Sequence, residues 1–350
     1  MTLRTTPFSL PLATPLSTAA GTIEAREGFV VRYDHRGEVG VGEATPLPGW
    51  TESLTDCEAG LAAAAAADPE GGHTAAMLEL DAAAVPAARH GFATALLDAD
   101  ARADGVPLYR WFDADRTCES VPVNATVGDA PPAETADAVA EAVGAGFDCC
   151  KLKVGARSVE ADLDRLRAVR ERVGDDLTLR ADANGAWSRT DAERALDGLA
   201  ALGVDYVEQP LPADDVAGHA ALRGGPVGIA LDESLAERRV DAVLAADAAD
   251  VLVLKPMVLG GPGNAHTLAI RARERGVEPV VTTTVDAVVA RLAALHVAAA
   301  IPDVRACGLA TGDRLAGDLA EDPAPVADGR MSVPETPGLG VDAAEVSPDA

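Results

Sequence analysis

A chain of 350 residues exceeds the roughly 250–300 at which a single hydrophobic core stops growing, so a barrel with a smaller companion domain is the starting expectation. Hydrophobic residues make up 48% of it, enough for such a core, and 56 Asp and Glu against 29 Lys and Arg leave a formal charge of -27. A field of that sign repels phosphate backbones and anionic lipid, which argues against nucleic-acid and membrane-surface partners. It reads instead as adaptation to a salty cytoplasm, where high ionic strength screens self-repulsion.

The first residues hold no long apolar run ahead of a cleavage-like site, and the apolar run at 61–67 is too short to span a bilayer. A soluble cytoplasmic protein is expected. Within residues 1–115, Gly28–Glu43 alternates as two strands joined by a turn at His35–Gly37. Ser53–Ala67 and Thr74–Ala103 carry helical spacing of Leu, Met and Phe. Leu12–Gly21 and Thr45–Ser53, rich in Pro, Gly and Thr, read as loops, the second holding an exposed Trp50. Cys57, Cys118, Cys149, Cys150 and Cys307 form no CxxC and are odd in number, so free thiols are expected.

From Val121 a rhythm begins. Short β-type runs end near Ala125, Val154, Ala183, Gln209, Glu233, Lys255, Thr283 and Leu309. Between them, helical period marks Glu134–Val143, Val159–Val173, Asp191–Leu202, Asp215–Leu222, Arg239–Ala246, Asn264–Arg275 and Ala287–Ala299. Thr190–Asp191 and Asp286 read as N-caps, and Gly144, Gly174, Gly203 and Gly276 as helix stops. Strands alternating with helices in this way predict a parallel barrel. The rival, a doubly wound open sheet, opens with a Gly-rich phosphate turn, and Val121–Asp129 has none.

Lysine usage points to a site. The chain has 26 arginines but only Lys151, Lys153 and Lys255 as lysines. Arginine does not release its proton, whereas a desolvated lysine is tuned toward neutrality and serves as a base. Along the strand ends stand Lys151 and Lys153, then Asp182, Glu208, Asp232 and Lys255; from Lys153 onward the steps are 29, 26, 24 and 23 residues. Each step is one βα unit, so the ends converge on one barrel mouth. Any one acid alone reads equally well as a solvated strand end or a helix cap, although Pro210 argues against a cap at Glu208. Three carboxylates together call for a divalent cation, and hard oxygen donors without His or Cys suit Mg²⁺, with Mn²⁺ as substitute. Lysines on either side of the mouth then suit removal of a proton α to a carboxylate, so a small-molecule carboxylate is the expected partner.

This pattern resembles the enolase superfamily, and the K-x-K on strand two with a lysine on strand six resembles its muconate lactonising subgroup. The resemblance implies an α/β fold: a (β/α)7β modified TIM barrel at 116–320, an N-terminal α+β capping domain at 1–115, and a tail at 321–350 returning to it. The loops at 12–21 and 45–53 would close over the barrel. TTTVDAVVARLAALHVAAA (282–300) and ACGLATGDRLAGDLA (306–320) further resemble the o-succinylbenzoate synthases, which dehydrate a succinyl-hydroxycyclohexadiene carboxylate in menaquinone biosynthesis. That implies Lys153 as base and then acid, Lys255 as stabiliser of the enediolate, and Asp182, Glu208 and Asp232 as Mg²⁺ ligands. Lys151, Arg180 and Asn184 would assist substrate or metal placement, and Thr283, Thr284, Gly308 and Leu309 would line the succinyl pocket. The strand-seven run departs from many relatives in using Thr for Ser and in Val285–Asp286. Dipeptide epimerases of the superfamily tend to carry Asp-x-Asp on strand eight, where this chain reads CGLAT with Asp313 later. N-acylamino acid racemisation and muconate lactonisation remain alternatives, as does a non-catalytic binding protein of the same fold. Oligomeric state has no signature in the sequence.

Overall fold

The computed structural model describes residues 2–18, 21–237 and 240–348. The expected helix start at Arg239, residues 19 and 20 of the anticipated first loop, and residues 349 and 350 of the tail lie outside them.

Strands β1 (Leu3–Thr18), β2 (Gly21–His35) and β3 (Glu38–Ala44) form an antiparallel sheet in chain order. The turn between β2 and β3 is the expected one. Arg36 and Gly37 both take positive φ, 53° and 88°, as a two-residue turn matched to strand twist requires. The described residues of the anticipated loop Leu12–Gly21 belong instead to the β1–β2 hairpin, paired from Leu16↔Ile23 to Thr18↔Gly21, after a register shift between Pro11 and Leu16. Pro15 reads as a loop signal, but β1 is an edge strand, where a missing N–H is tolerated.

Helix α1 (Leu54–Leu78) starts where Ser53 caps the Asp56 N–H. The helical pattern over Thr74–Ala103 is broken in the structure, which ends α1 and restarts as α2 (Pro86–Ala103) with proline at its first position. Helix α2 lies flush on β3, because a Cβ at Gly40 or Gly42 would collide with backbone atoms of Ala95 and Gly91. A short α3 (Leu108–Phe112) leads to β4 (Ser120–Pro122).

The barrel then runs β5 (Ala125–Val127), α4 (Pro132–Gly144), β6 (Cys149–Lys153), α5 (Val159–Val173), β7 (Thr178–Asp182), α6 (Arg189–Ala201) and β8 (Val204–Glu208). It continues through α7 (Val216–Leu222), β9 (Gly228–Leu231), α8 (Glu233–Glu237), α9 (Val240–Ala245), β10 (Val251–Leu254), α10 (Pro262–Arg273), β11 (Glu278–Val281) and α11 (Val288–Ala300). Strands β5 to β11 are parallel neighbours in chain order. Two parallel bridges, Thr282↔Gly308 and Val123↔Cys307, close the ring, so the eighth strand is reduced to a pair of residues. Tyr206, Ala230, Val251, Val253 and Val280 form one cluster of the core.

Helix ends hold both agreement and correction. Gly174, Gly203 and Gly276 have φ of 80°, 61° and 72°, the left-handed geometry that ends helices. At α4 that role falls to Gly146, with Gly144 still helical. Helix α6 is capped by Ser188, not by Thr190 or Asp191, because Asp191 lies inside the first turn and exchanges hydrogen bonds with Ser188. Asp286 is not the cap of α11. It turns back on Thr284, and Glu43 of β3 accepts from the N–H groups of Ala287 and Ala290 at 2.9 Å each.

After α11 the chain forms β12 (Val326–Ala327) and β13 (Arg330–Ser332), the latter beside β4. It then lies against the first sheet and α2, where Arg32 donates to the carbonyls of Ala343 and Val346 and Asp98 accepts from the Leu339 N–H. All five cysteines are free. Among the described residues no helix is long and apolar enough to cross a membrane.

Candidate active site

Parallel register assembles the site. Lys153 of β6 pairs with Asp182 of β7, and Asp182 pairs with Glu208 of β8. Asp232 and Lys255 each follow the last residue of their strand, β9 and β10. All five therefore stand at the carboxyl ends of consecutive strands, the end at which barrel loops converge. Lys153 and Lys255 belong to strands four places apart in a ring of eight, on opposite sides of the mouth.

The side chains interlock as ion pairs. Lys153 Nζ lies 2.6 Å from Asp182 Oδ2, and Lys255 Nζ lies 2.6 Å from Asp232 Oδ2. Lys151 Nζ reaches both oxygens of Glu208 at 2.9 Å and Asp182 at 3.2 Å. The carboxylates are buried, with 1%, 1% and 5% of Asp182, Glu208 and Asp232 exposed, so each needs a counter-charge. Burial, then repulsion from Asp182, pushes Glu208 up to about 7 against the pull of Lys151. Burial also raises Asp232, opposed by Lys255. Burial works the same way on Asp182, but Lys151 and Lys153 outweigh it and hold that carboxyl well below its ordinary range. Burial would lower Lys151, yet Glu208 and Asp182 raise it well above the usual lysine value.

Three lysines thus neutralise three carboxylates. Among the described residues no three acidic, imidazole or thiolate side chains are drawn together closely enough to hold a metal ion; the ammonium groups stand against them instead. The donor set nevertheless fits a hard divalent cation: three buried carboxylates on neighbouring strand ends, with no competing His or Cys. The upward push on Glu208 by Asp182 and Asp232 is the crowding that a cation relieves.

The remaining predicted residues divide. Asn184, in left-handed backbone at φ 45°, accepts from Lys153 Nζ at 2.9 Å and donates to Glu233 Oε1 at 2.9 Å. Arg180 does not join the acid cluster. It donates to the Ala306 carbonyl, approaches Asp205 at 3.5 Å and lies over the Tyr206 ring. Two residues before Asp182 on one strand, it shares that face but sits a step lower. Thr283 bonds Thr311 at 2.9 Å and Thr284 bonds Asp286. Gly308 has no room for a side chain beside Thr282, and Leu309 is fully buried in the main core. None of these four hydrogen-bonds to the lysines or carboxylates. Leu309, Arg291 and Asp313 line a cavity of about 640 Å³ along the first and eighth strands, which the lysine and carboxylate side chains do not border. The converging charges, not that cavity, mark the site.

Two contacts lie outside the sequence reading. Trp50 is not free at the surface: Lys255 Nζ sits 3.3 Å from its ring centroid. Glu233 ties into the network through Asn184. Adjacency to Asp232 in ALDES marked Glu233 locally; a contact across 205 positions of chain left no local trace for Trp50.

With this geometry in place, the relatives are informative. The chain matches the family described as Mandelate racemase / muconate lactonizing enzyme, N-terminal domain over residues 1–111, and Enolase C-terminal domain-like over residues 134–347. It is 30% identical to the L-Ala-D/L-Glu epimerase of Bacillus subtilis (strain 168) over 97% of this chain and 95% of that one. It is 39% identical to the o-succinylbenzoate synthase of Mycobacterium tuberculosis, over 62% of this chain and 65% of that one. Against the N-succinyl-L-Arg/Lys racemase of Bacillus cereus the identity is 34%, over 61% and 58%. In three dimensions it resembles the dipeptide epimerase of Enterococcus faecalis V583 complexed with Mg and dipeptide L-Leu-L-Tyr, at TM-score 0.85 and 27% identity over 97% and 98% of the two chains. Lysine and acid side chains on successive strand ends, the capping sheet and both matched halves lead to one conclusion: the chain belongs to the enolase superfamily, in its mandelate racemase and muconate lactonising enzyme group.

Proposed function

We propose that the protein is a cytoplasmic Mg²⁺-dependent o-succinylbenzoate synthase, a carbon–oxygen lyase acting in menaquinone biosynthesis. The observation that carries the choice of substrate is the eighth strand. Cys307–Thr311 brings no carboxylate to the mouth, whereas a dipeptide's ammonium group calls for one. Relatives on both sides of the choice are equally near, so the reading rests on these residues.

Asp182, Glu208 and Asp232 would hold the cation, which when bound supplies positive charge toward the substrate carboxylate. Lys153, with 38% of its side chain exposed against 12% for Lys255, is the freer lysine and takes the α proton. Lys255 meets the negative charge that develops on the carboxylate. Lys153 then returns its proton to the departing hydroxyl on the same face. One C–H and one C–O bond break, the ring becomes aromatic, and water leaves. Asn184, itself anchored by donating to Glu233, accepts from the Lys153 nitrogen and holds it in place, and Lys151 keeps Glu208 and Asp182 from repelling each other.

A second reading, racemisation of N-succinyl amino acids, is favoured by the lysine on each side of the mouth, which suits proton transfer on both faces. The test is to offer the protein 2-succinyl-6-hydroxy-2,4-cyclohexadiene-1-carboxylate, N-succinyl amino acids and L-Ala-L-Glu, each with Mg²⁺. Spectroscopic formation of o-succinylbenzoate, faster than either inversion, is the expected result. Dipeptide epimerisation without o-succinylbenzoate would overturn the assignment.

A further inference from the structure

The two lysines that face each other across the mouth differ in their surroundings. Lys153 stands open, with 38% of its side chain exposed. Lys255 is enclosed: Asp232 Oδ2 takes one side of its ammonium at 2.6 Å, and the face of Trp50 covers another at 3.3 Å. The indole comes from the capping sheet's loop, Thr45–Ser53, not from the barrel.

That loop is built to hold its tip. The Leu47 carbonyl accepts from the N–H groups of both Trp50 and Thr51 at 3.0 Å, the Leu47 N–H donates to Thr51 Oγ1 at 2.8 Å, and Gly49 supplies the φ of 85°. Its stem is fastened to the barrel. Buried Arg26 donates to the carbonyls of Thr45 at 2.9 Å and Pro46 at 3.1 Å, and to Val285 in the loop after β11 at 3.2 Å. Thr45 Oγ1 donates to Glu43, the residue that caps α11. A tight turn on a clamped stem places the ring before any substrate arrives, and a cation is attracted to the negative face of an aromatic ring most strongly when both are out of water.

We propose that Trp50 is a positioning residue for Lys255: its ring seats the ammonium against Asp232 and leaves that lysine one direction of approach, so the two lysines are made unequal by the cap. The assignment of a role in turnover rests on the reading of the site given above; the contact itself does not. Seating by the ring makes Lys255 a fixed cation beside the substrate, while Lys153 keeps room to move with a proton.

Two experiments separate contact from turnover. In metal-free protein, steady-state tryptophan emission is compared for the wild type, Lys255→Met, Trp50→Phe and the double variant. Emission is expected to change on Lys255→Met when Trp50 is present and to stay unchanged in the Trp50→Phe background; equal response in both backgrounds would overturn the contact. In turnover of whichever substrate the protein converts, Trp50→Leu is expected to lower kcat about tenfold with KM moving less than about threefold, and Trp50→Phe, which keeps a ring face, to recover most of the loss. Trp50→Leu with wild-type kcat, or Phe no better than Leu, would overturn the positioning role. Absence of turnover with every substrate would sink the proposed activity while the emission cycle still decides the contact.

Discussion

Three lysines survive in a chain that otherwise uses arginine, and all three pair with the same three buried carboxylates. Lys153→Arg keeps the charge at Asp182 but removes a group able to release its proton. Turnover should fall by about 10²–10⁴-fold, the usual weight of a general acid–base residue, with the far-UV circular dichroism unchanged. Near-normal turnover would remove Lys153 from the base role. Asp232→Asn takes one of three anionic oxygen donors away and should raise the Mg²⁺ concentration for half-activation by about tenfold or more; an unchanged titration would make the carboxylates structural. The lysines and acids were legible because their spacing repeats with the βα unit. Arg180 lies below the acid cluster, since a two-residue step keeps a side chain on the same face but not at the same depth. Thr283, Thr284, Gly308 and Leu309 sit three or fewer positions from a strand end, yet their bonds run to neighbouring loops and the core.

Helix α11 shows how elements depend on each other across the molecule. Its own N-cap position, Ala287, has no side-chain oxygen, so Glu43 from β3 satisfies two of its N–H groups. Glu43→Ala should cost about 1–3 kcal/mol of stability, the range for lost caps and unsatisfied buried donors, measurable by denaturant unfolding. Burial first, then Asp286, lifts the Glu43 carboxyl from the ordinary 4.5 to about 7. The folded protein therefore holds that proton more tightly than the unfolded chain. Glu43's share of stability should fall as pH rises from about 4.5 to about 7, by of order 3 kcal/mol, and level off above. Thermal midpoints of the wild type and Glu43→Gln should accordingly diverge across that interval, the wild type losing ground with rising pH; parallel curves would contradict it. Elements with complete local signals, such as α5 with Ser158 before it and Gly174 after it, were readable to the residue. A cap supplied from another domain was not, and neither was β1, whose prolines are acceptable only because it forms an edge.

At the scale of the whole molecule, the rhythm of strand ends foretold the barrel, while its closure by only Cys307 and Gly308 left too short a signal to place the eighth strand's side chains. The formal charge of -27 makes self-repulsion a general force opposing the compact state. Raising KCl from about 0.1 M to about 1 M shortens the screening length from about 10 Å to about 3 Å, so the thermal midpoint should rise; a fall would mean that surface Arg–Asp pairs outweigh the repulsion. The cap meets the barrel at Lys255 through Trp50 and at the start of α11 through Glu43. Proton transfer at Lys153 is read most directly by loss of the α proton, followed by NMR in D₂O: as aromatisation of the cyclohexadiene carboxylate, or as deuterium uptake at the α carbon of an N-succinyl amino acid. Loss of that proton with Mg²⁺, abolished by EDTA and by Lys153→Arg, is the predicted result. Loss at the wild-type rate without metal or without Lys153, or none from any carboxylate offered, would contradict it.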